Sequence, residues 1–240
     1  MRLNKFLAKA GIASRRESDK LIKEATTIVN GVLQTDPAFD VSPEDEVIFN
    51  GRRLKIDRQI SVIALNKPKG YITSASDPKN RKTVKELVPQ KPRLFTIGRL
   101  DRNTTGLLLF TNDGDLAQEL MLPKNKVPRI YDVEVDRSLN QTEITKISKG
   151  IFIGWGQKGK AKVIRQNTRK KSTVVRLILQ QGKNREIRRI MKTLNRRIFS
   201  LHRISYGPVE VKGLSFGQWR ALSNEEIIEL RKTLKKSSLT

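Results

Sequence analysis

The stretch G-R-L-D-R-N-T-T-G-L-L-L-F-T-N-D-G, Gly98 to Gly114, decides how this chain reads. It opens on a glycine and places one acid, Asp101, between Arg99 and Arg102. The four apolar residues Leu107 to Phe110 then predict a buried strand, and Asn112-Asp113-Gly114 predicts a turn after it. Two readings of Asp101 stand at this point. It caps a turn ahead of Asn103 to Gly106, or it is a reactive carboxylate. The surroundings favour the second. Flanking cations favour the charged form of an acid, Gly98 and Gly106 permit close backbone approach, and a loop entering a buried strand is a rigid mount for a reactive group.

Working outward, Leu94 to Ile97 reads as the strand leading into this stretch. Asp115 to Met121 reads as the helix leaving it, with Leu116 and Leu120 inward. Upstream, Ile60 to Leu65 is a strand, Asn66-Lys67-Pro68-Lys69-Gly70 is a turn with two breakers, Ile72 to Ser74 continues the sheet, and Thr83 to Leu87 is a short helix. Downstream, Tyr131 to Val135 alternates as a half-buried strand. Thr142 to Lys149 is helical. Lys160 to Arg165 and Thr173 to Leu179 are strands. Arg185 to Leu194 is a helix with Ile187, Ile190, Met191 and Leu194 inward. Val209 to Val211 and Trp219 to Leu222 are late strands, Asn224 to Leu234 is a closing helix, and Lys235 to Thr240 is a frayed tail. Together they predict an α+β domain of mixed, largely antiparallel pairing flanked by helices.

The first residues form a separate small module. Leu3, Phe6, Leu7 and Ala10 make one stripe of a short helix that Gly11 ends. Ser14-Arg15-Arg16-Glu17 fits a capping box, with Leu21 and Ile22 inward on the helix that follows. Asn30-Gly31, between Thr27 to Val29 and Val32 to Gln34, is the strongest local hairpin signal, and Asn50-Gly51 repeats it between Glu46 to Phe49 and Arg52 to Leu54. A linker near Lys55 to Gln59 sets the domains at 1–58 and 59–240.

The composition narrows the partners. The net charge is +25 and the isoelectric point near 10.6, so a polyanion is the leading partner. From Met1 to Ile60 there are 11 basic and 9 acidic residues; from Gly156 to Tyr206 there are 16 and 1. The polyanion footprint therefore concentrates in the C-terminal third. Uninterrupted apolar runs reach only four residues, far short of a membrane span. Met1 to Lys5 have no apolar h-region, so no secretory signal is expected. There are no cysteines and one histidine, His202. That removes disulfides, cysteine zinc sites, a thiolate nucleophile and multi-histidine metal sites. A soluble cytoplasmic protein that meets nucleic acid is the expectation.

Other candidates come with two readings each. Tyr131 is a core aromatic or a ring on which a flipped base stacks. Gln181 to Arg189 is a solvated basic face or a phosphate site. Arg15 and Arg16, at a helix start where the dipole disfavours cations, are solvated side chains or phosphate contacts. Gly154-Trp155-Gly156-Gln157-Lys158-Gly159 fits G-x-G-x-x-G. It precedes a predicted strand rather than a helix, so it reads as a hairpin bend and not as the cofactor loop of a methyltransferase.

The first 55 or so residues resemble the S4 RNA-binding domain, through R-L-N-K-F-L-A-K-A-G-I-A-S-R-R-E-S-D-K-L-I-K, V-N-G and D-E-V-I-F-N-G. In that family the helix pair presents a basic face to structured RNA, which favours the phosphate reading of Arg15 and Arg16. The remainder resembles the pseudouridine synthases of the family named after ribosomal small-subunit pseudouridine synthase A. The opening stretch matches the signature G-R-L-D-x-x-T-x-G-L-L-L-x-T-N-D-G at every specified letter. A-L-N-K-P-K-G-Y, R-I-Y-D-V, Q-G-K-N-R-E-I-R-R and L-H-R-I-S-Y-G-P match further elements in order, with Arg129 where the family usually has lysine.

The resemblance implies isomerisation of uridine to pseudouridine in ribosomal RNA, without cofactor or metal. The large-subunit 23S rRNA is the expected substrate from the wording of N-R-E-I-R-R. The small-subunit 16S rRNA, and a non-enzymatic RNA-binding assembly protein, stand as alternatives. It implies Asp101 as the catalytic carboxylate, Tyr131 stacked on the flipped uracil, Arg188 paired with Asp101, and Leu201 under the base. Lys67, with Arg99, Lys183, Arg185, Arg15 and Arg16, is expected to contact substrate. A monomer is expected.

Overall fold

The computed structural model describes residues 1–56, 59–74 and 77–235. These divide into two compact units: Met1–Ser61 with Lys91–Arg93 and Asn112–Gly114, and Val62–Gln90 with Leu94–Thr111 and the residues from Asp115 on. The middle of the expected linker and the last five residues of the expected tail lie outside the described residues.

In the first unit, α1 (Leu3–Lys9) and α2 (Arg15–Lys23) pack on a four-stranded antiparallel sheet. Its strands β1 (Thr27–Val29), β2 (Val32–Gln34), β3 (Val47–Phe49) and β4 (Arg52–Arg53) lie in the order β2-β1-β3-β4. Both Asn-Gly pairs turn hairpins with positive φ at each central residue, as a two-residue hairpin loop requires. Ser14 caps α2 by accepting the Glu17 amide proton at 3.2 Å. Leu3, Leu7, Ile22, Val29, Val41 and Val47 form the core. Of the two residues expected inward on α2, Ile22 belongs to this core, whereas Leu21 is half-buried outside it.

The second unit carries β5 (Val62–Lys67), β6 (Phe95–Ile97), β7 (Thr105–Thr111), α3 (Gly114–Met121), β8 (Arg129–Val135) and α4 (Gln141–Lys149). There follow β9 (Ile151–Phe152), β10 (Lys158–Gly159), β11 (Lys162–Thr168), β12 (Thr173–Leu179) and α5 (Glu186–Thr193). The chain continues through β13 (Ile198–Tyr206), β14 (Val209–Glu210), β15 (Trp219–Ala221) and α6 (Asn224–Lys235). One nine-stranded sheet runs β11-β12-β8-β13-β7-β5-β15, with β14 beside β13 and β6 beside β7. Among these pairings only β13 with β7 is parallel. The sheet is therefore mixed and largely antiparallel, as the sequence predicts.

The centre of the sheet is apolar on both faces. Every residue of β5 is buried, and so is β7 from Gly106 on, which is why Leu107 to Phe110 form an unbroken run rather than an alternation. One cluster gathers Leu107 and Leu109 with α3 and α6. Another sets Leu108 and Phe110 against Val84, Val88 and Leu94. A third joins β8, β12 and β13 to α4 and α5.

Ile72 to Ser74 do not continue the sheet. Ile72 makes only an isolated bridge with Thr83, and Thr73 spends its hydroxyl on the loop before β7. Gly154 to Gln157 form the bend of a two-stranded hairpin whose second strand takes Lys158 and Gly159, consistent with the reading of that glycine pattern as a turn. Among the described residues no helix is long and apolar enough to cross a membrane.

Candidate active site

The loop 98–104 emerges where two strands share one edge of β7. Its partner β5 spans Gly106 to Thr111 on the other edge. On the shared edge, β13 takes Thr105 and Gly106, while β6 takes Leu109 to Thr111. The approach of β13 to β7 is close: a Cβ on Gly106 would lie 2.2 Å from the carbonyl oxygen of Arg203, at a φ of +103°. Glycine is required there by space and by conformation.

The end of β5 and the segment after it fix the loop. Thr73 Oγ1 donates to the Leu100 carbonyl at 2.9 Å and accepts from its amide at 3.2 Å. The Gly70 amide donates to the Arg102 carbonyl, and Arg102 Nε returns a bond to Gly70 O at 3.2 Å. Lys67 is fully buried. Its ammonium donates to the carbonyls of Thr104 at 2.9 Å, Pro68 at 3.0 Å and Asp101 at 3.2 Å, with Arg102 at 3.4 Å. Expected to touch substrate, Lys67 instead holds from beneath the backbone that carries Asp101. Burial pushes its ammonium down to about 8, against the Asp101 carboxylate, which pulls the other way.

The Asp101 side chain reaches the cavity surface, 41% exposed, and pairs with cations from α5 rather than with its sequence neighbours. Arg188 Nε lies 3.3 Å from Asp101 Oδ2, and Arg185 Nε lies 4.0 Å from the same oxygen. Arg188 Nη2 also donates to Asn103 O and Thr104 Oγ1, both at 3.1 Å, so one guanidinium ties carboxylate and loop together. Arg185 is not the first helical residue expected; it caps α5 in a left-handed conformation, φ +49°.

Glu186, only 3% exposed, sets that geometry. Its carboxylate accepts from the amides of Lys160 and Lys183 at 3.1 Å and from Gln181 Nε2 at 2.7 Å. Burial raises its pKa, opposed by these hydrogen bonds and by the Lys183 charge.

The cavity measures about 770 Å³. Leu100, Tyr131, Leu179, Ile187 and Leu201 supply apolar walls; Arg99, Asp101, Arg129, Lys183, Arg185 and Arg188 supply charge. Tyr131, on β8, is half-buried and lies beside Arg203 of β13, whose Nη1 is 3.4 Å from the phenol oxygen. Leu201, two residues earlier on β13, is 5% exposed.

Arg203 itself is 2% exposed. Its Nε donates to Leu107 O at 2.6 Å, and its Nη2 is buried without a hydrogen-bond partner among the described residues. Arg129 and Arg203 both lie over the buried ring of Tyr206, at 4.8 and 5.4 Å.

The structure thus brings together Asp101, Tyr131, Arg188, Leu201, Arg99, Lys183 and Arg185 around one cavity. The Lys183 ammonium is turned to the Lys158 carbonyl. Arg15 and Arg16 belong to the other unit and are exposed at the start of α2. Arg203, Tyr206, Thr73 and Glu186 line the cavity without having been picked out for it in the sequence. The L-H-R-I-S-Y-G-P element contains two of them, and a basic residue in a predicted buried strand was the available signal.

The chain was compared with known proteins. A family model described as RNA pseudouridylate synthase matches residues 61–193, and one described as S4 domain matches residues 1–47. A Bacillus subtilis (strain 168) protein named ribosomal large subunit pseudouridine synthase B is 36% identical over 234 residues, covering 96% of this chain and 95% of its own. An Escherichia coli K12 protein named dual-specificity RNA pseudouridine synthase is 34% identical over 240 residues, covering 99% of this chain and 81% of its own. A crystal structure titled pseudouridylate synthase superposes with a TM-score of 0.68 at 26% identity, over 96% of this chain and 99% of that one.

Proposed function

The chain belongs to the RNA pseudouridylate synthase family, and we propose that it isomerises a specific uridine of ribosomal RNA, in the 23S molecule of the large subunit, with Asp101 as the catalytic carboxylate. The observation that carries the residue assignment is the Asp101–Arg188 pair at the mouth of a cavity walled by Tyr131 and Leu201. The large-subunit substrate is supported by the name of the Bacillus relative and by the N-R-E-I-R-R wording of α5.

The reaction breaks N1–C1′ of uridine, turns the freed uracil, and joins C5 to C1′; the C5 proton leaves and N1 gains one. No redox step or transferred group is needed. A base inside a duplex is out of reach, so the uridine enters the cavity flipped from its stack. In this reading the uracil lies between Tyr131 and Leu201. Asp101 faces the sugar, and its carboxylate either attacks C1′ or takes the 2′ proton to open a glycal route. Arg188 fixes the direction of the carboxylate and holds the loop behind it, so little rearrangement is required when the sugar arrives. In the same reading Tyr131, which lies beside the buried Arg203, assists loss of the C5 proton.

The test is a carbodiimide–primer-extension map of both rRNAs from cells lacking the protein, rescued with wild type or with Asp101→Ala. One stop in 23S rRNA restored by wild type alone is the expected result. Restoration by Asp101→Ala would make the carboxylate a turn residue. A stop in 16S rRNA would reassign the subunit, and no change in either would favour the assembly-protein reading.

A further inference from the structure

Trp155 is the most exposed large apolar side chain among the described residues, at 78%. It sits at the bend between β9 and β10, where Gly154, Trp155 and Gly156 all take positive φ, at +83°, +54° and +64°. A bulky residue in the left-handed region is disfavoured, and an exposed indole gains nothing from the core. Folding alone gives no reason for either feature. The ring is not loose, however. The Arg189 guanidinium lies 4.3 Å from its centroid. Arg189 is itself pinned: it donates to Gly154 O at 2.7 Å, Ile153 O at 2.8 Å, Gln157 Oε1 at 3.0 Å and Asn184 O at 3.3 Å. One side of the indole is thus backed by a fixed cation, and most of its surface faces solvent.

Position adds to this. Asn184, which holds Arg189, and Lys183, whose ammonium holds the Lys158 carbonyl, both line the cavity. The hairpin is therefore fastened to the rim of the candidate active site. Lys158 and Lys160 are exposed nearby in the chain, within the segment holding 16 basic residues and 1 acid. An aromatic plane backed by arginine on a cationic surface is the physical description of a base-stacking platform. A flipped uridine leaves its neighbours without a stacking partner on one side, and a platform beside the cavity replaces it.

We propose that Trp155, backed by Arg189, stacks an unpaired base of the RNA strand flanking the target uridine. This rests on the reading of the cavity as a uridine site. Stacking of this kind is tolerant of base identity, so the platform fixes the path of the strand rather than its sequence. Because it acts on binding away from the reacting atoms, its loss changes KM and leaves kcat near its wild-type value.

The experiment measures pseudouridine formation in protein-free 23S rRNA prepared from cells lacking the enzyme. Trp155→Ala is expected to raise KM about tenfold, within the ~5–150-fold that base–aromatic stacking is worth, while Trp155→Phe raises it about twofold. In a Trp219→Phe protein, Trp155 is the remaining tryptophan. Its emission should be quenched by an eight-nucleotide oligouridylate and left unchanged by a duplex of equal length. An unchanged KM for Trp155→Ala, with wild type active, overturns the platform alone, as does equal quenching by duplex. An effect seen on ribosomal particles but absent on protein-free rRNA overturns it too, in favour of a protein contact. A wild-type enzyme inactive on both rRNAs overturns the functional reading and the platform with it.

Discussion

Lys67 shows how much one residue's role depends on where its charge ends up. The N-K-P-K-G segment reads in sequence as a turn with two breakers, with Lys67 expected to contact substrate. In the fold, β5 carries the side chain inward until its ammonium meets three carbonyls of the Asp101 loop and that of Pro68. Its pKa falls from 10.5 to about 8 because burial penalises the charge more than the Asp101 carboxylate restores it. Two pH effects follow. Loss of the proton weakens the grip on the Asp101 backbone, so kcat should decline above about pH 8, and Lys67→Met should be poorly active at every pH and lack that limb. A kcat–pH profile that is flat from 7 to 9.5 would sink this role. Stability moves the other way. The folded pKa lies below the unfolded one, so between about 8 and 10.5 the unfolded chain binds more protons. The contribution is full above that window and is lost as pH falls through it. Wild type should therefore gain on Lys67→Met in urea unfolding as pH rises from 8 to 10.

At the scale of elements, α5 does two jobs with adjacent residues. Arg188 reaches toward Asp101, and Arg189 clamps the β9–β10 hairpin. Ile187 and Ile190, before and after them, are buried, which fixes the rotation of the helix. Periodicity makes this helix legible, together with its inward residues. It does not disclose that Arg185 is a left-handed cap, because the bond pattern that forces it, Glu186 on two amides, depends on the fold. The same limit explains Asp101. Its importance is readable from its motif, but its cations arrive from a helix more than eighty residues later, not from Arg99 and Arg102. Arg188→Lys tests the element. Lysine keeps the charge but loses the fork that joins carboxylate, Asn103 O and Thr104 Oγ1. The expected result is a fall in kcat of about 100-fold, of the order attributed to one preorganised electrostatic group. KM for rRNA should change less than about threefold, since lysine keeps the positive charge of the cavity. A loss confined to KM would place Arg188 with RNA binding instead.

Across the whole molecule, charge divides the labour between recognition and chemistry. The residues from Gly156 to Tyr206 carry most of the excess, and Lys183, Arg185, Arg188 and Arg203 among them line the cavity, while the first sixty residues are nearly balanced. A nearly neutral module that binds RNA must concentrate its cations, and Arg15 and Arg16 stand exposed at the start of α2, where the helix dipole gives them no support. The S4 resemblance assigns them to phosphate, and a phosphate contact has a signature that a structural role lacks. Each one lost lowers the salt slope of binding by about 1 and weakens all RNA sequences alike. Arg15→Gln with Arg16→Gln should lower the slope of log Kobs against log salt by about 2. It should raise KM for rRNA several-fold at low salt and leave kcat unchanged, because neither residue lines the cavity. Filter binding from 50 to 300 mM salt, with turnover measured at saturating rRNA, reads both quantities on the same protein. An unchanged slope would mean that α2 presents its arginines to water. A fall in kcat would mean that the first unit takes part in forming the active site, and the division of labour would have to be redrawn.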